Sequence, residues 1–378
     1  MSGPAYRVAW IGLVGLLQAA PAAAQRPPVT VPTPGTTVTT LHHAFDRAAP
    51  QPLSLWRPRT VLGFQEVVYG HGGIHVTCTD TPERGRCPRT DTGGGPTGRS
   101  PIQLEFHEQR SGQRREIAVL GWLERAEWER ACSDDFWDKS EYPLWTSSTR
   151  ECHVAPAGTA ATLEIAARDI AQLVAGRWQA ELHLDVRSGR GGAVLGRHVF
   201  ALEVLVTDPA RAAIHFPEHG ASVAPMDLQL QVRTQPAPAS VGGEAVLEMC
   251  LYDGLGSLSS QLELVARDGR PDAPGRPAGH FSVWHLRGGA AAHDRIDYRL
   301  HLLHGGRRID LARDVHTVLD GIDSAELRPV LLPGMEQTVH CVPTPLSFQT
   351  PRFPAADKRD GRYQGDLTLE MRLPTRRP

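Results

Sequence analysis

The sequence has little of what marks a helical, a zinc-binding or a nucleic-acid-binding protein. Its 378 residues carry a formal net charge of -2, with a pI near 6.8, which does not support nucleic-acid binding through a broadly basic surface. No CxxC pair and no Cys/His cluster with the spacing of zinc ligands occurs, so structural zinc is not expected. Only 5 Met are present, whereas 37 Gly and 31 Pro favour a loop-rich protein of about two domains.

Long apolar runs are also missing beyond the N terminus. Residues 1–24 contain one basic residue, Arg7, then an apolar stretch from Val8 to Leu17 and small residues up to Ala24. This order is typical of a secretory signal peptide, and its apolar part is shorter than the roughly 20 residues that a membrane-spanning helix needs. We therefore predict that the mature chain is exported and soluble outside the cytoplasm.

The cysteine content fits an exported, disulfide-bonded protein. Six cysteines allow fifteen pairings, but here they form three couples along the chain, and a domain boundary between the second and third couples would prevent pairing across it. We therefore predict pairing in sequence order, of Cys78 with Cys87, Cys132 with Cys152, and Cys250 with Cys341.

Many short runs alternate apolar with polar residues and are separated by Gly, Pro, Asp or Ser, which is the pattern of half-buried strands. Only 166–176 favours a short helix, with Gly176 as its end. We predict an all-β fold of two tandem immunoglobulin-like β-sandwich domains, over 25–207 and 208–378, with a short joint at 207–212. The runs lie at 102–106, 115–122, 161–166, 178–186, 198–206, 227–233, 245–254, 261–269, 297–303 and 366–373.

One string suggests a metal centre. HFPEH, from His215 to His219, fits the HxxEH pattern of a zinc-protease class, in which the histidines must lie one helical turn apart. Pro217 would interrupt such a helix, and the residues before His215 favour a strand. A secreted zinc hydrolase using His215, Glu218 and His219 is therefore a weaker alternative, and no metal ligand is predicted.

Two further strings resemble catalytic or phosphate-binding loops only in part. GGGPTGRS, from Gly93 to Ser100, has Arg99 in place of the phosphate-binding lysine and is followed by a strand rather than a helix. DGLGSLSS, from Asp253 to Ser260, lacks the spacing of a nucleophile elbow and favours a turn between strands. Neither a catalytic residue nor a cofactor is predicted.

The strands and cysteines together resemble a known family. The most specific segment is EMCLYDGLGSLSSQLEL (248–264), which resembles the family's Met-Cys-aromatic-Tyr-Asp-Gly segment, Ser-rich turn and following strand. The chain is similar, over nearly its whole mature length, to the tip adhesins and pilus-biogenesis initiators of the alternate chaperone–usher pathway, the class-five fimbriae. The other matching segments, in order, are CTDTPERGRCP (78–88), RREIAVLGW (114–122), AGRWQAELHLDV (175–186), VHCVPTPL (339–346) and YQGDLTLEMRLP (363–374).

This resemblance implies an N-terminal adhesin domain on a C-terminal pilin domain that lacks one strand. A periplasmic chaperone, and then the N-terminal arm of the major pilin, would supply that strand during assembly at the outer-membrane usher. The expected location is the fimbrial tip at the cell surface, reached through the periplasm. The implied receptor is a host glycan or glycoprotein, and no nucleic-acid partner is expected.

The resemblance also implies a basic receptor patch, part of it on the turn VRSGRGG after the Trp-containing strand. Arg187 and Arg190 are the candidates, although they are not the adjacent arginine pair of the family. A further family arginine corresponds to about Gly73, so the ligand is expected to differ. As an alternative, both arginines are ordinary solvated residues of a hairpin.

The first domain holds six of the eight tryptophans, and two interpretations of them remain open. Aromatic rings on loops could stack on a sugar, which suits an adhesin and equally suits a secreted or periplasmic carbohydrate-binding protein with two complete sandwiches. The other interpretation, which we favour, places Trp122 and Trp178 in the sandwich core and the others in smaller clusters. The six are Trp56, Trp122, Trp128, Trp137, Trp145 and Trp178.

Overall fold

In the computed structural model, the described residues are 26–65, 71–79, 81–94, 97–128, 130, 135–149, 155–189, 192–270 and 273–373. They form two β-sandwich domains in tandem, joined by a short 3-10 turn at Pro209–Arg211, so the prediction of an all-β, two-domain fold is confirmed. The predicted signal peptide lies outside the described residues. No helix in the described part of the chain has the length and apolar character needed to cross a bilayer.

The strands of the first domain follow the order β1-β8-β7-β4-β5-β6-β2, with β3 beside β7. All neighbouring pairs are antiparallel except β1 with β8, which is parallel over eleven residues. The described strands are β1 (Thr36–Asp46), β2 (Leu53–Phe64), β3 (His75–Cys78), β4 (Ser100–Glu108), β5 (Arg114–Ala126), β6 (Gly158–Ile165), β7 (Gly176–Arg187) and β8 (Val194–Thr207), with helix α1 (Ala167–Ile170) after β6.

The alternation of apolar and polar residues in the sequence indicates which side chains form the core of this domain. On β4, Ile102, Leu104 and Phe106 are fully buried, while Gln103 and Glu105 between them are partly exposed. Successive side chains of a strand point to opposite faces, so every second residue of β4 enters the core. The predicted helix at 166–176 is shorter than expected, because α1 ends at Ile170 and Gly176 begins β7 instead of ending the helix.

The second domain has three sheets around a separate core. Their orders are β10-β11-β20-β15-β14-β21 with β16 beside β15, β18-β19-β12-β9, and β17-β13-β22. The described strands are β9 (Ala213–His215), β10 (Gln231–Arg233), β11 (Ser240–Leu247), β12 (Cys250–Tyr252), β13 (Gln261–Asp268), β14 (Phe281–His285), β15 (Arg295–His304), β16 (Arg307–Leu311), β17 (Thr317–Asp320), β18 (Arg328–Val330), β19 (Val339–Pro343), β20 (Leu346–Pro354), β21 (Tyr363–Gln364) and β22 (Leu367–Arg372).

The domains meet at the turn between β4 and β5. Glu108 is 4% exposed, and its carboxylate accepts hydrogen bonds from the backbone N–H groups of Arg110, Ser111 and Arg177. This buried carboxylate holds the turn in one shape, because an anion that accepts several N–H bonds is well satisfied away from water. The turn directs Arg110 across the interface, where it donates to the backbone carbonyl oxygens of Ser257 and Ala325.

On the opposite side, the predicted turn at 253–260 is organised by a second buried carboxylate. Asp253 is fully buried and accepts hydrogen bonds from the backbone N–H groups of Leu255, Ser257 and Ser259. Gly256, at φ +72°, presses against the first domain, since an added Cβ would lie 2.5 Å from the Cα of Gly176. The two backbones can approach this closely only because position 256 has no side chain.

Candidate functional site

The last strand of the second domain has one unpaired edge. Within the described residues, β22 pairs with β13 on one side and with no strand on the other. Its side chains Leu367, Leu369 and Met371, together with Leu373, are only half-buried and pack against the core of the domain. A sheet edge that presents free N–H and C=O groups beside apolar side chains is a site for pairing with another strand.

A second segment packs against the same core without joining a sheet. Residues 223–230 form no strand, although Ala224, Met226 and Leu228 alternate toward the core and the residues between them are exposed. The predicted strand at 227–233 is therefore wrong over 227–230, and only 231–233, as β10, pairs with β11. The segment has the alternation of a strand but no ladder partner among the described residues, in contrast to the other predicted runs.

Arg187, a predicted receptor residue, ends β7 at the far end of the first domain, which we define as residues 71–77, 145–148, 185–189 and 192–197. Strand β7 starts at the domain interface and has twelve residues, so its two ends are separated by roughly 35 Å. Arg187 Nε donates to Thr77 Oγ1 at 3.0 Å, and its Nη2 lies 3.5 Å from Asp185 Oδ2. Arg190 lies outside the described residues.

A second arginine reaches the same carboxylate. Arg197 Nε, on β8, lies 2.7 Å from Asp185 Oδ1, and the Asp185 side chain is only 6% exposed. Arg187 and Arg197 therefore share one buried anion, and the three groups together carry a net positive charge. Sequence spacing did not single out Arg197, because it is ten residues from Arg187 and becomes its neighbour only through the β7 and β8 pairing.

Loops converge beside Arg187. A Cβ added at Gly73 would lie 3.3 Å from the Cα of Gly189 and 3.7 Å from the carbonyl oxygen of Ser147. Position 73, where the family carries an arginine, is therefore closely surrounded by backbone in this chain. The carboxylate of Asp91 also holds this region, by accepting hydrogen bonds from the N–H and hydroxyl groups of Ser147.

A buried arginine ties these loops together. Arg125, on β5, is 1% exposed and donates to the backbone oxygens of Ile74 (2.6 Å), Thr146 (2.8 Å) and Ser148 (2.9 Å), and to Thr159 Oγ1 (2.6 Å). Burial lowers the pKa of its guanidinium to about 10. Since the donors of one side chain satisfy oxygens on separate segments, Arg125 fixes their relative positions.

The sequence did not lead us to predict a buried role for Arg125, although the alternation along β5 indicated one. Ile117, Val119, Gly121 and Leu123 alternate on the buried face of β5, and position 125 continues the same alternation. The predicted run ended at residue 122, and an arginine beyond it suggested the surface. Extending the predicted strand by three positions would have placed this side chain in the interior.

Next to Arg125 lies a buried histidine. His75 is fully buried, its Nδ1 lies 3.4 Å from the carbonyl oxygen of Gly73, and its Nε2 has no hydrogen-bond partner in the described structure. Burial lowers the pKa of His75, against the opposite influence of the Gly73 carbonyl and of Asp91. Burial also lowers the pKa of His71 in the same loop.

Two disulfides are described. Cys78 is bonded to Cys87 and Cys250 to Cys341, with Cα atoms 5.3 Å and 5.7 Å apart, and these are the partners that pairing in sequence order assigns to them. The second bond joins β12 to β19 in the second domain. Cys132 and Cys152 lie outside the described residues.

The tryptophans agree with the prediction only in part. Trp178 lies in the core of the first domain, where its Nε1 donates to the carbonyl oxygen of Val174 at 2.8 Å. Trp122 is buried, at 7% exposure, but lies outside the main core cluster and is covered by the guanidinium of Arg99, 3.8 Å from the ring centroid. Trp56, predicted in a smaller cluster, belongs to the main core cluster instead. The other three rings are buried or half-buried, so none of the six offers a fully open face for a sugar.

The HFPEH string has no zinc-protease geometry. His215 lies on β9 opposite Cys250, and Glu218 and His219 follow in a turn rather than on a helix. In the part of the chain that the structure describes, no group of three His, Cys, Asp or Glu side chains could hold a metal ion.

Comparison with known proteins gives matches along nearly the whole chain. The family model for the first domain of CfaE, a CFA/I fimbrial protein, matches residues 20–209, and the model for the second domain of CfaE matches residues 212–375. CfaE of Escherichia coli is 26% identical over 293 residues, which is 75% of this chain and 75% of that protein.

Solved structures share the fold. CfaE, described as the adhesive subunit of CFA/I fimbria of enterotoxigenic Escherichia coli, superposes with a TM-score of 0.69 at 22% identity, covering 92% of this chain and 95% of that one. A chaperone–tip adhesin complex, described as vital for activation of CFA/I fimbriae biogenesis, contains a chain that matches with a TM-score of 0.67 at 21% identity, covering 91% and 97%.

Proposed function

The chain belongs to the CfaE family of CFA/I fimbrial proteins, and we propose that it is a minor pilin at the tip of a chaperone–usher fimbrium, where it initiates assembly and attaches the fimbrium to host surface glycans. The similar Escherichia coli protein is the adhesive component of its fimbria, and a similar tip adhesin forms a complex with a chaperone. A periplasmic chaperone is accordingly the partner with the most direct support. The other proposed partners are the usher, the major pilin and the glycan receptor.

The unpaired edge of β22 is the observation that carries the assembly role. Half-buried apolar side chains of β22 and of residues 223–230 pack on one core, and neither segment has a strand partner on its open side in the described structure. A strand with alternating apolar residues, laid against β22, would supply main-chain hydrogen bonds and cover these side chains. We infer that the chaperone supplies this strand first and that the N-terminal arm of the major pilin replaces it.

Thermal unfolding of the full mature chain tests this role, with and without a peptide that copies the arm of the major pilin. A ligand at one hundred times its dissociation constant stabilises the folded state by about 2.7 kcal/mol. We expect the second domain to unfold roughly 5–10 °C higher with the peptide, and a scrambled peptide to have no effect. A second domain that is stable alone and indifferent to the peptide would contradict the assembly role and favour a freestanding binding protein.

Matched variants on β22 locate the binding edge. Leu369→Asp places a charge on the half-buried face and should abolish the stabilisation by the peptide. Thr368→Asp adds the same charge one residue away on the exposed face and should leave it nearly unchanged. Equal loss in both variants would show that the peptide binds elsewhere.

For the receptor, we propose that the far end of the first domain binds acidic glycans through Arg187 and Arg190. The net positive charge around Asp185 and the position of Arg187 opposite the domain interface support this assignment. Arg187→Ala should reduce binding to immobilised sialylated glycans at least tenfold, while Arg114→Ala, an exposed arginine on β5, should not. Unchanged binding by Arg187→Ala would remove this residue from the receptor site.

A further inference from the structure

The first domain has two edge strands that differ in how they are protected. Strand β1 pairs only with β8 and β2 only with β6, at opposite ends of the strand order. An unprotected edge strand can pair with another chain, and soluble proteins usually prevent this with charges, proline, bulges or a covering segment.

Strand β2 carries most of these protective features. Pro58 lies within it, flanked by Arg57 and Arg59, and Arg59 has a positive φ of +58°. Its pairing with β6 is shifted at three places, and its end is covered where Thr30 and Phe64 exchange backbone hydrogen bonds. Another strand could not form a regular ladder along this edge.

Strand β1 carries none of them. Residues 36–45 include no Asp, Glu, Lys, Arg or Pro, and the pairing with β8 has no register shift over eleven residues. Val38 is 64% exposed on its outward face. In the described structure no strand pairs with the second edge of β1. This is a long and regular edge, uncharged by Asp, Glu, Lys or Arg over residues 36–45, with an exposed apolar residue near its N-terminal end.

A second copy of the same strand fits this edge. In an antiparallel pair, side chains directly opposite each other lie on the same face of the sheet. If Thr36 lies opposite His42 of the second copy, Thr39 lies opposite Thr39 at the two-fold axis and Val38 is covered by Thr40. Because no position from 36 to 42 is charged by Asp, Glu, Lys or Arg, this ladder has no such like-charge contact.

The charged residues on the neighbouring strands are compatible with this register. Arg197 lies beside Thr36, and Glu203 lies beside His42. Across the paired sheets, Arg197 and Thr36 of one copy therefore lie in line with His42 and Glu203 of the second copy. The two-fold symmetry produces the same line of residues with the two copies exchanged. Arg197 is already paired with Asp185, and Glu203 with His42 of its own molecule, so the rows bring no unpaired like charges together across the two copies.

We propose that β1 pairs antiparallel with β1 of a second copy of this chain, so that two molecules associate through one continuous sheet. The far ends of both first domains remain accessible in this arrangement, because the pairing uses the side of the sheet rather than the end of β7. Because the two β1 strands run antiparallel, the two far ends point in opposite directions, so the pair would link two glycan-bearing surfaces rather than bind one surface twice.

Sedimentation velocity of the full mature chain over a range of concentrations tests the pairing. We expect the mass to double as concentration rises. Val38→Lys should keep the chain monomeric, whereas Val194→Lys, an exposed valine on β8 before the residues that pair with β1, should not. A chain that is monomeric at every concentration would overturn the proposal, and so would a dimer that Val38→Lys leaves intact.

Cysteine cross-linking tests the register independently. Residues opposite each other at the two-fold axis have Cβ atoms about 4.5–5.5 Å apart, near the range that a disulfide spans. Thr39→Cys should give a covalent dimer on mild oxidation. Thr37→Cys, on the same face of the same strand, should not, because the two copies of residue 37 would lie roughly 14 Å apart. Cross-linking of Thr37→Cys alone would contradict this register.

The pairing does not depend on the proposed function. A monomeric chain that still binds the pilin peptide and the glycan would overturn the pairing only. The substitution Val38→Lys does not alter β22. If the chain instead self-associates through the open edge of β22, the dimer will therefore persist in Val38→Lys, which distinguishes the two edges.

Discussion

Arg125 places a guanidinium in the interior of the first domain, where its partners in the described structure are backbone and hydroxyl oxygens rather than a carboxylate. Removing it would leave several buried oxygens without donors. Each unsatisfied buried group costs about 1–3 kcal/mol. The residue therefore matters to stability and to the shape of the far end alike.

Replacement of Arg125 by Met should lower the free energy of unfolding of the first domain by about 3 kcal/mol or more, because Met restores the volume but none of the hydrogen bonds. Urea unfolding followed by tryptophan fluorescence measures this. Arg114→Met is the control, since Arg114 is exposed and its ion pair with Glu105 should contribute less than about 1 kcal/mol. Similar losses in the two variants would contradict the structural role of Arg125.

The buried histidines should make the first domain sensitive to acid. Burial lowers the pKa of His75 and of His71 below the usual value near 6.5, so the unfolded chain takes up protons that the folded chain does not. Stability is therefore complete above about pH 6.5 and falls as the pH decreases through that value.

Thermal unfolding at pH 7.5 and pH 5 should show this loss, and a double variant with Gln at positions 71 and 75 should show a smaller one. His42→Gln serves as the control, because His42 is exposed on β1. If the double variant and the control depend on pH as strongly as the original chain, these two histidines are not the cause.

At the scale of elements, alternation predicted strand positions well wherever both sides of a strand are paired. Runs 102–106 and 178–186 lie inside β4 and β7 because each is held by neighbours and faces a core. Residues 227–230 have the same alternation but form no strand, since a ladder needs a partner as well as a pattern. Alternation along one segment does not report whether such a partner exists.

Site residues were harder to predict than strands. Arg187 could be named from the resemblance, whereas Arg197 and Arg125 reach the same region through pairing and packing between distant segments. Local periodicity reports the face on which a side chain lies, not which distant residues it will contact. Gly176 illustrates the same limit, because its place at the domain contact depends on Gly256, eighty residues later.

Strand β22 is tied to its neighbour by charge. Hydrogen bonds from Arg372 and then from Arg267 hold the pKa of Glu370 at about 2. A carboxyl group with a lowered pKa in the folded state stabilises that state above its unfolded pKa, near 4.5, and this contribution is lost as the pH falls toward 2.

Glu370→Gln should therefore reduce the pH dependence of second-domain unfolding between pH 4.5 and pH 2, without changing the strand pattern. Chemical denaturation at several pH values, with the chain in low salt, is the measurement. Glu336→Gln provides a control in the same domain. An unchanged profile in Glu370→Gln would mean that the two arginines do not stabilise the edge strand.

At the scale of the whole molecule, the two domains are in contact through two turns, which are held by the buried carboxylates of Glu108 and Asp253. Arg47 adds a third link, with Nη2 donating to Gln337 Oε1 at 2.5 Å and Nη1 lying 3.4 Å from Asp208 Oδ2. Such an interface makes the unfolding of one domain depend on the other. The interface also leaves no space for any side chain at position 256, which is occupied by glycine.

Gly256→Ala should separate the domains, because the new Cβ would lie 2.5 Å from the Cα of Gly176. We expect two resolved unfolding transitions in calorimetry and a larger radius of gyration in small-angle scattering. Gly220→Ala is a matched control, since Gly220 also has a positive φ, +59°, but open space around its Cβ position. That control should lose only about 1 kcal/mol. A compact, single-transition Gly256→Ala variant would contradict this account of the interface.

The parallel pairing of β1 with β8 also affects when the sheet of the first domain can be completed. Translation delivers β1 first and β8 last among the described strands of the first domain, and β8 lies between β1 and β7. About 150 residues separate the two partners, so at typical elongation rates β1 waits roughly 10–30 s for the strand beside which it belongs. Closing so long a loop is also slow. The sheet of the first domain therefore cannot be completed until nearly all of the domain is available, and until then the edge of β7 that β8 covers stays open.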